Sequence, residues 1–498
     1  MQLNFKIIFL LVFFPCVIMA QGKKKPMNII FILSDDHRYD AMGFMNRFQG
    51  LETPAMDFMA KEGAHIKNAF VSTALCSPSR ASILTGQYAH THRIVDNNAP
   101  IAKNLVYFPA YLQKAGYKTG FFGKWHMGNT DDQPQPGFDY WLSFRGQGVY
   151  YSPEFNINGK RIKQPDSSYT TDLLTDYALE WLNSLNKDKP FFLYLSHKGV
   201  HAEFYPAKRH EGKYKNLKIT APPSMYLTAT DSSKQFGEMT APSTPVNFRD
   251  IPEWVRKQRY SWHGVDFMYH GAIPFDEFYR SYLETLLAVD ESIMRVINWV
   301  KDNGLEDNTL VVYMGDNGFS FGEHGLIDKR HAYEESMRVP LLFWSPSRIK
   351  PGTVVEELIQ NVDIAPTFLE LAGIGKPEQM QGMSFLPLLE GKQIPWRDMI
   401  YYEYYWESAF PSTPTIFAAR SKRFKYIYNH GVWDINELYD LENDPWEMNN
   451  LIRSREFDNE GKKLRDALFN WLEQTGGLSI PLNKATGTRF DNKFNRTY

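Results

Sequence analysis

The chain of 498 residues holds only two cysteines, Cys16 and Cys76. Cys16 falls in an N-terminal stretch expected to be removed, so the mature chain cannot form an internal disulfide. Secreted proteins ordinarily use disulfides. A secreted chain that keeps one thiol points to modification or reaction of that thiol. Charge of one sign is also lacking. Fifty-five Lys and Arg against 57 Asp and Glu leave a net charge of −2. That balance argues against a nucleic-acid binder, which is usually basic overall, although it permits a local basic cleft. No long uncharged apolar run follows the first twenty residues, so no stable membrane insertion is expected. Internal repeats and low-complexity tracts are absent too. What is present, 43% hydrophobic and 15% aromatic residues, places the chain among folded globular proteins. Its length suggests one large domain and a smaller one.

The first twenty residues have the pattern of a secretory signal. Lys6 gives a positive charge, and the run from Ile7 to Met19 is apolar except near Pro15 and Cys16. Ile18-Met19-Ala20 offers a cleavage site before Gln21. Phe14 and Pro15 are poor residues ahead of a lipidated cysteine. The expectation is a signal peptide over 1–20 and a secreted or periplasmic protein, with cell-surface association left open.

Three apolar runs lack polar alternation and end in polar residues. They are Met27 to Leu33 before Ser34-Asp35-Asp36, Phe191 to Leu195 before Ser196-His197, and Thr309 to Met314 before Gly315-Asp316-Asn317. Such runs read as strands buried on both faces. Helical patterns lie between them, over 171–185 and 276–300. The fold class expected is α/β, a large, mixed but mostly parallel sheet sandwiched by helices. Sites in such sheets gather at the carboxyl ends of the strands. Residues 208–266 read as a long surface insertion. Short strands near 400–406 and 424–428 and a closing helix over 461–475 suggest a smaller C-terminal α+β subdomain. The boundaries expected are 21–385 for the main domain and 386–498 for the subdomain.

Two acidic pairs end predicted strands, Asp35-Asp36 and Asp316-Asn317. Three carboxylates and an amide suit a hard cation, Ca²⁺ or Mg²⁺, and not zinc. Taken singly, each pair also fits an ordinary turn. Cys76-Ser77-Pro78-Ser79-Arg80 runs on through Ala81-Ser82-Ile83-Leu84-Thr85-Gly86. Pro78 predicts a helix beginning just after Cys76, which sets position 76 at a helix N-terminus that favours anions. Arg80 lies at the same end and can hold a carboxylate or sulfate through two bonds. Cationic residues follow other predicted strands: Lys124 and His126, then His197 and His201. Lys329 lies further along the chain.

The Cys-x-Pro-Ser-Arg pattern followed by Thr-Gly resembles the signature of the type I formylglycine-dependent sulfatases, of the alkaline-phosphatase-like superfamily. The resemblance extends over most of residues 27–451. It implies that Cys76 is oxidised to formylglycine and contacts the metal, usually calcium, with magnesium possible. Asp35, Asp36, Asp316 and Asn317 match the family's metal ligands. Arg80 matches the residue that holds the aldehyde hydrate, and Lys124 and Lys329 match the lysines that grip sulfate. His126 matches the histidine that helps regenerate the aldehyde, and His201 the one near the leaving group. The partners implied are a formylglycine-generating or anaerobic sulfatase-maturating enzyme and a sulfated carbohydrate. The stretch Phe144 to Tyr151 resembles bacterial glycan sulfatases, which leaves N-acetylglucosamine-6-sulfate-type glycans and algal polysaccharides such as ulvan as substrates. His263, in the insertion, is a candidate substrate contact. Tyr401, Tyr402, Tyr404, Tyr405 and Trp406 suit either sugar stacking or packing between domains. Two rivals remain: a phosphodiesterase or phosphonate monoester hydrolase of the same superfamily, and an inactive glycan-binding homologue.

Overall fold

The computed structural model describes residues 26–228, 250–261, 263–266, 273–407, 410–431 and 433–481. The expected signal segment 1–20, with Cys16, and part of the 208–266 insertion lie outside the described residues.

The strand Asn28–Ser34 is buried at every position. Ile29, Phe31 and Leu33 point into one core, and Ile30 and Ile32 into another. This is why the run shows no polar alternation: both faces of the sheet are covered. Thr309–Gly315 pairs with it in parallel on one side and Phe191–Ser196 on the other. Lys118–Lys124 and Tyr140–Phe144 continue the parallel order. Among the described residues the sheet has ten strands, and it turns antiparallel outside this centre, at Leu341–Trp344 on one flank and at Glu154–Ile157 and Lys160–Lys163 on the other. The outermost strand Lys160–Lys163 is exposed throughout and carries three cations, which discourages edge-to-edge pairing.

Helices cover both faces. Side chains of Cys76–Thr85, Phe108–Lys114 and Ile364–Leu371 belong to one core, and those of Pro54–Glu62, Thr170–Ser184 and Phe275–Asp302 to the other. The last helix is 28 residues long, with Asp276 and Glu277 in its first turn, where acids favour the positive end of the helix dipole. It also serves a neighbour. Asp290, buried midway along it, accepts hydrogen bonds from the backbone N–H of Ala55 (3.1 Å) and Met56 (3.0 Å). Those are first-turn donors of the helix Pro54–Glu62, whose own N-cap, Thr53, makes no side-chain cap bond. Asp290→Ala should therefore cost about 1–2 kcal/mol, the worth of a lost helix cap, read by chemical unfolding.

After the main sheet, Met399–Tyr404, Thr415–Ser421, Phe424–His430 and Glu437–Asp440 form a four-stranded antiparallel sheet. The helix Asp458–Thr475 packs Leu464, Leu468, Trp471 and Leu472 on one face of it. Ile400, Tyr402, Tyr404 and Ile427 join the main core from the other face. The tyrosine-rich strand is thus a packing element. Tyr402 and Tyr404 are fully buried, and Tyr401 stacks on Trp471 with ring centroids 4.7 Å apart. Sugar stacking by these rings is not what the structure supports.

Candidate active site

Four neighbouring parallel strands bring their carboxyl ends together. They deliver Asp35 and Asp36, Asp316 and Asn317, Lys124, and Ser196 to one spot, as the switch-point rule for open α/β sheets expects. All of these residues are buried. Asp36 adopts φ 56, a left-handed backbone that Asp tolerates better than most residues. That bend lets its N–H donate to Asp316 Oδ1 at 3.0 Å.

The helix Cys76–Thr85 begins at the cysteine itself and ends at Gly86, whose φ of 66 forms a left-handed cap. Cys76 Sγ lies 3.4 Å from Asp35 Oδ1 and 3.4 Å from Lys329 Nζ. Burial and the adjacent Asp35 push the thiol up to about 12. An unmodified Cys76 is therefore a protonated thiol and a poor nucleophile. Four pH units below 12, about one thiol in 10⁴ is ionised. Unconverted Cys76 in folded protein should resist iodoacetamide at pH 8 and react only after denaturation, as read by peptide mass.

Arg80, one turn along the helix, ties the strand ends together. Its Nε donates to Asp316 Oδ2 at 2.9 Å, and its Nη1 to the carbonyl of Lys124 and to Ser196 Oγ, both at 2.7 Å. Nη2 lies 2.8 Å from Asp316 Oδ2 and 3.7 Å from Asp35 Oδ2. Lys124 Nζ pairs with Asp35 and Gln147. Lys329 pairs with Asp36.

These contacts set the charges. Burial would raise Asp35, but Lys124, His201, Arg80 and Lys329 outweigh it and hold the carboxyl well below its usual range. Asp36 is pushed up to about 7 by burial, against Lys329 and with Asp35 and Asp316 adding repulsion. Burial and Asp35 raise Asp316 as well. Two buried oxygens, Asp36 Oδ2 and Asn317 Oδ1, have no hydrogen-bond partner among the described residues. Ligand atoms of Asp35, Asp36 and Cys76 all lie within 4.8 Å of one another. Crowded carboxylates that resist ionisation, with unpaired oxygens beside them, fit a hard divalent cation.

His126 sits at φ 54 with Nδ1 lacking a partner among the described residues. Burial and Lys124 hold it well below the usual histidine range, so it is a neutral base. His201 is likewise lowered by burial and Lys124. Its Nδ1 faces the carbonyl of Ala202, which places the ring proton on Nδ1, and Nε2 points towards Asp36 Oδ2 at 3.9 Å. Tyr150 donates its hydroxyl to the His201 carbonyl at 2.7 Å.

The structure therefore brings together Asp35, Asp36, Cys76, Arg80, Lys124, Asp316, Asn317, Lys329 and His201, with His126 adjoining through Lys124. His263 is placed differently. Its Nε2 lies 3.1 Å from Asp328 Oδ2, and its ring stacks on Phe410 at 4.6 Å. Asp328 is the residue before Lys329. Two basic residues of the insertion are engaged elsewhere: Arg209 pairs with Asp172 and Glu291, and His210 with Glu291. Sequence reasoning gave no role to Gln147, Ser196 or Tyr150. Gln147 and Ser196 follow or end strands of the same sheet, and that position was the available signal.

Comparison with known proteins gives the family. The Sulfatase family model matches residues 27–374, and the model for the C-terminal part of N-sulphoglucosamine sulphohydrolase matches 322–474. The chain belongs to the sulfatase family. As a member it is a sulfuric ester hydrolase, and the family generally uses Ca²⁺ and formylglycine. An N-acetylglucosamine-6-O-sulfatase of Bacteroides thetaiotaomicron is 35% identical, over 92% of this chain and 88% of that protein. A solved structure described as a complex with its substrate D-glucosamine-2-N,6-O-disulfate superposes with a TM-score of 0.78 at 32% identity. That match covers 93% of this chain and all of the other. The phosphonate monoester hydrolase of Agrobacterium radiobacter superposes at 0.73 but is only 19% identical, over 90% of this chain and 96% of that one. It shows a shared fold and nothing more. Among the described residues, no helix is long and apolar enough to cross a membrane.

Proposed function

We propose that this sulfatase removes the 6-O-sulfate from glucosamine-type sugars, with Cys76 oxidised to formylglycine as its nucleophile. The observation that carries the reading is Cys76 Sγ at a helix start, 3.4 Å from both Asp35 and Lys329. The two relatives of highest similarity described above act on 6-sulfated glucosamines, which favours that class over ulvan.

Asp35, Asp36, Asp316 and Asn317 would hold Ca²⁺ through their oxygens, with Mg²⁺ compatible with the same ligands. The aldehyde hydrate would supply two hydroxyls on one carbon, and the metal would lower the proton affinity of the nearer oxygen. Lys124 and Lys329 hold the sulfate oxygens, where charge grows in the transition state. Arg80 fixes Asp316 and the two strand ends beneath the nucleophile. The departing alcohol takes its proton from the Lys329 ammonium, or from His201 once Nε2 has gained a second proton, since the neutral ring holds its proton on Nδ1. His126 presents its unpartnered Nδ1 as the base that takes a proton when sulfate is released. The acid pairs Asp35-Asp36 and Asp316-Asn317 favour this chemistry over phosphodiester or phosphonate hydrolysis. The intact set of cations and histidines disfavours the inactive homologue. The reading includes conversion of Cys76 by a maturating enzyme and export directed by residues 1–20. It also sets the domain boundary near residue 385.

The test uses protein made with a maturating enzyme. Sulfate release from N-acetylglucosamine-6-sulfate is expected, with none from ulvan; release from ulvan alone would overturn the substrate assignment. EGTA should lower activity by about 10² or more, and Ca²⁺ should restore it. Activity indifferent to chelation would contradict the metal assignment.

A further inference from the structure

One cation near the reaction floor has no place in the mechanism above. Lys198 follows the strand Phe191–Ser196 by two residues and is 5% exposed. Among the described residues it pairs with no carboxylate. Its Nζ sits over the ring of Tyr150, 4.5 Å from the centroid. The charges acting on it are those of the active site: Lys124 repels it, and Asp35 and Asp36 attract it from a distance.

A buried ammonium without a counter-ion is costly unless something anionic arrives. The Tyr150 ring offsets part of that cost. Burial together with the repulsion of Lys124 brings the amine down to about 8, the direction expected of an ammonium whose charge is poorly compensated. The other lysines are spent directly at the reacting atoms: Lys124 on Asp35, and Lys329 on Asp36 and Cys76. Lys198 makes no such bond, so it stands one layer out. Tyr150 links it to His201, since one face of the ring carries the ammonium and the hydroxyl holds the His201 carbonyl. In the proposed reaction His201 is the residue beside the departing sugar.

We propose that Lys198 forms a subsite for a second anionic substituent on the substrate, a sulfate or carboxylate displaced from the ester being cut. The subsite rests on the glucosamine-6-sulfatase reading and refines it. An incoming anion would supply the counter-charge that the fold withholds, so the second group would raise kcat/KM without touching the nucleophile.

The experiment compares N-acetylglucosamine-6-sulfate with glucosamine-2-N,6-O-disulfate on converted wild type and on Lys198→Met. The expected result is a loss of about tenfold or more in kcat/KM for the disulfate, relative to the monosulfate, in the variant. Each substrate controls for the other in the same preparation, so a general loss of folded enzyme cancels. An unchanged ratio in an active variant overturns the subsite and leaves the sulfatase reading standing. If wild type cleaves neither sugar, the substrate reading itself fails. Should Lys198→Met not fold, inhibition of wild type decides. N-sulfoglucosamine, which lacks the 6-sulfate, should inhibit more tightly than N-acetylglucosamine by about tenfold. Equal inhibition by the two would reject the subsite.

Discussion

Cys76→Ala is expected to abolish sulfate release, by on the order of 10⁴-fold or more, the scale seen when a covalent nucleophile is removed. Its melting temperature should stay close to that of wild type. The side chain is small, and its two polar neighbours, Asp35 and Lys329, keep other partners: Asp35 has Lys124, and Lys329 has Asp36. Cys76→Ser separates chemistry from geometry. A serine hydroxyl fits the same space beside Asp35 and Lys329 and can attack sulfur once. It lacks the second hydroxyl on the same carbon through which sulfate can be expelled. The serine variant should therefore give at most a single burst of alcohol product without turnover, and a sulfated peptide by mass spectrometry. Sustained turnover by the alanine variant would show that Cys76 is not the nucleophile.

Arg80→Met should fail twice, in stability and in activity. The guanidinium is fully buried and bonds Asp316, the Lys124 carbonyl and Ser196. Removing it leaves Asp316 and Asp35 as buried acids with one cation fewer. Breaking a buried pair in this way costs about 3–5 kcal/mol, read as a large drop in denaturant midpoint. What activity survives should be reduced by about 10² or more, because Asp316 and the strand end carrying Lys124 lose the group that fixes them. Arg80→Lys keeps the charge but cannot span three acceptors in a planar fork. It should recover part of the stability and little of the activity. Calcium should narrow the stability gap by adding charge beside Asp35 and Asp316. A stable and active Arg80→Met would contradict the arrangement.

The centre of the fold was readable in the chain because buried parallel strands leave a distinct trace. Asn28–Ser34, Phe191–Ser196 and Thr309–Gly315 appear as apolar runs, each closed by the polar residues that later meet at the site. The long helix shows its period over 276–300 and occupies Phe275–Asp302. The acids, the cysteine and most cations were legible from motifs. Their mutual contacts were not, since Cys76 at a helix start, Asp316 at a strand end and Lys329 in a loop are joined only by tertiary packing, which local pattern does not encode. His263 illustrates the opposite failure. Read as a candidate substrate contact in a surface insertion, it is buried against Phe410 and Asp328. Lys198, between His197 and His201, was given no role from the sequence. Nothing in the sequence distinguishes a buried ammonium without a carboxylate from a solvated one.

The most direct test of the account is the mass of the tryptic peptide 68–80 from active protein, made with a maturating enzyme and assayed in parallel for sulfate release. The account predicts a mass loss matching conversion of the Cys76 thiol to an aldehyde, with activity proportional to the converted fraction across preparations. Full activity in protein whose Cys76 remains a thiol would contradict it.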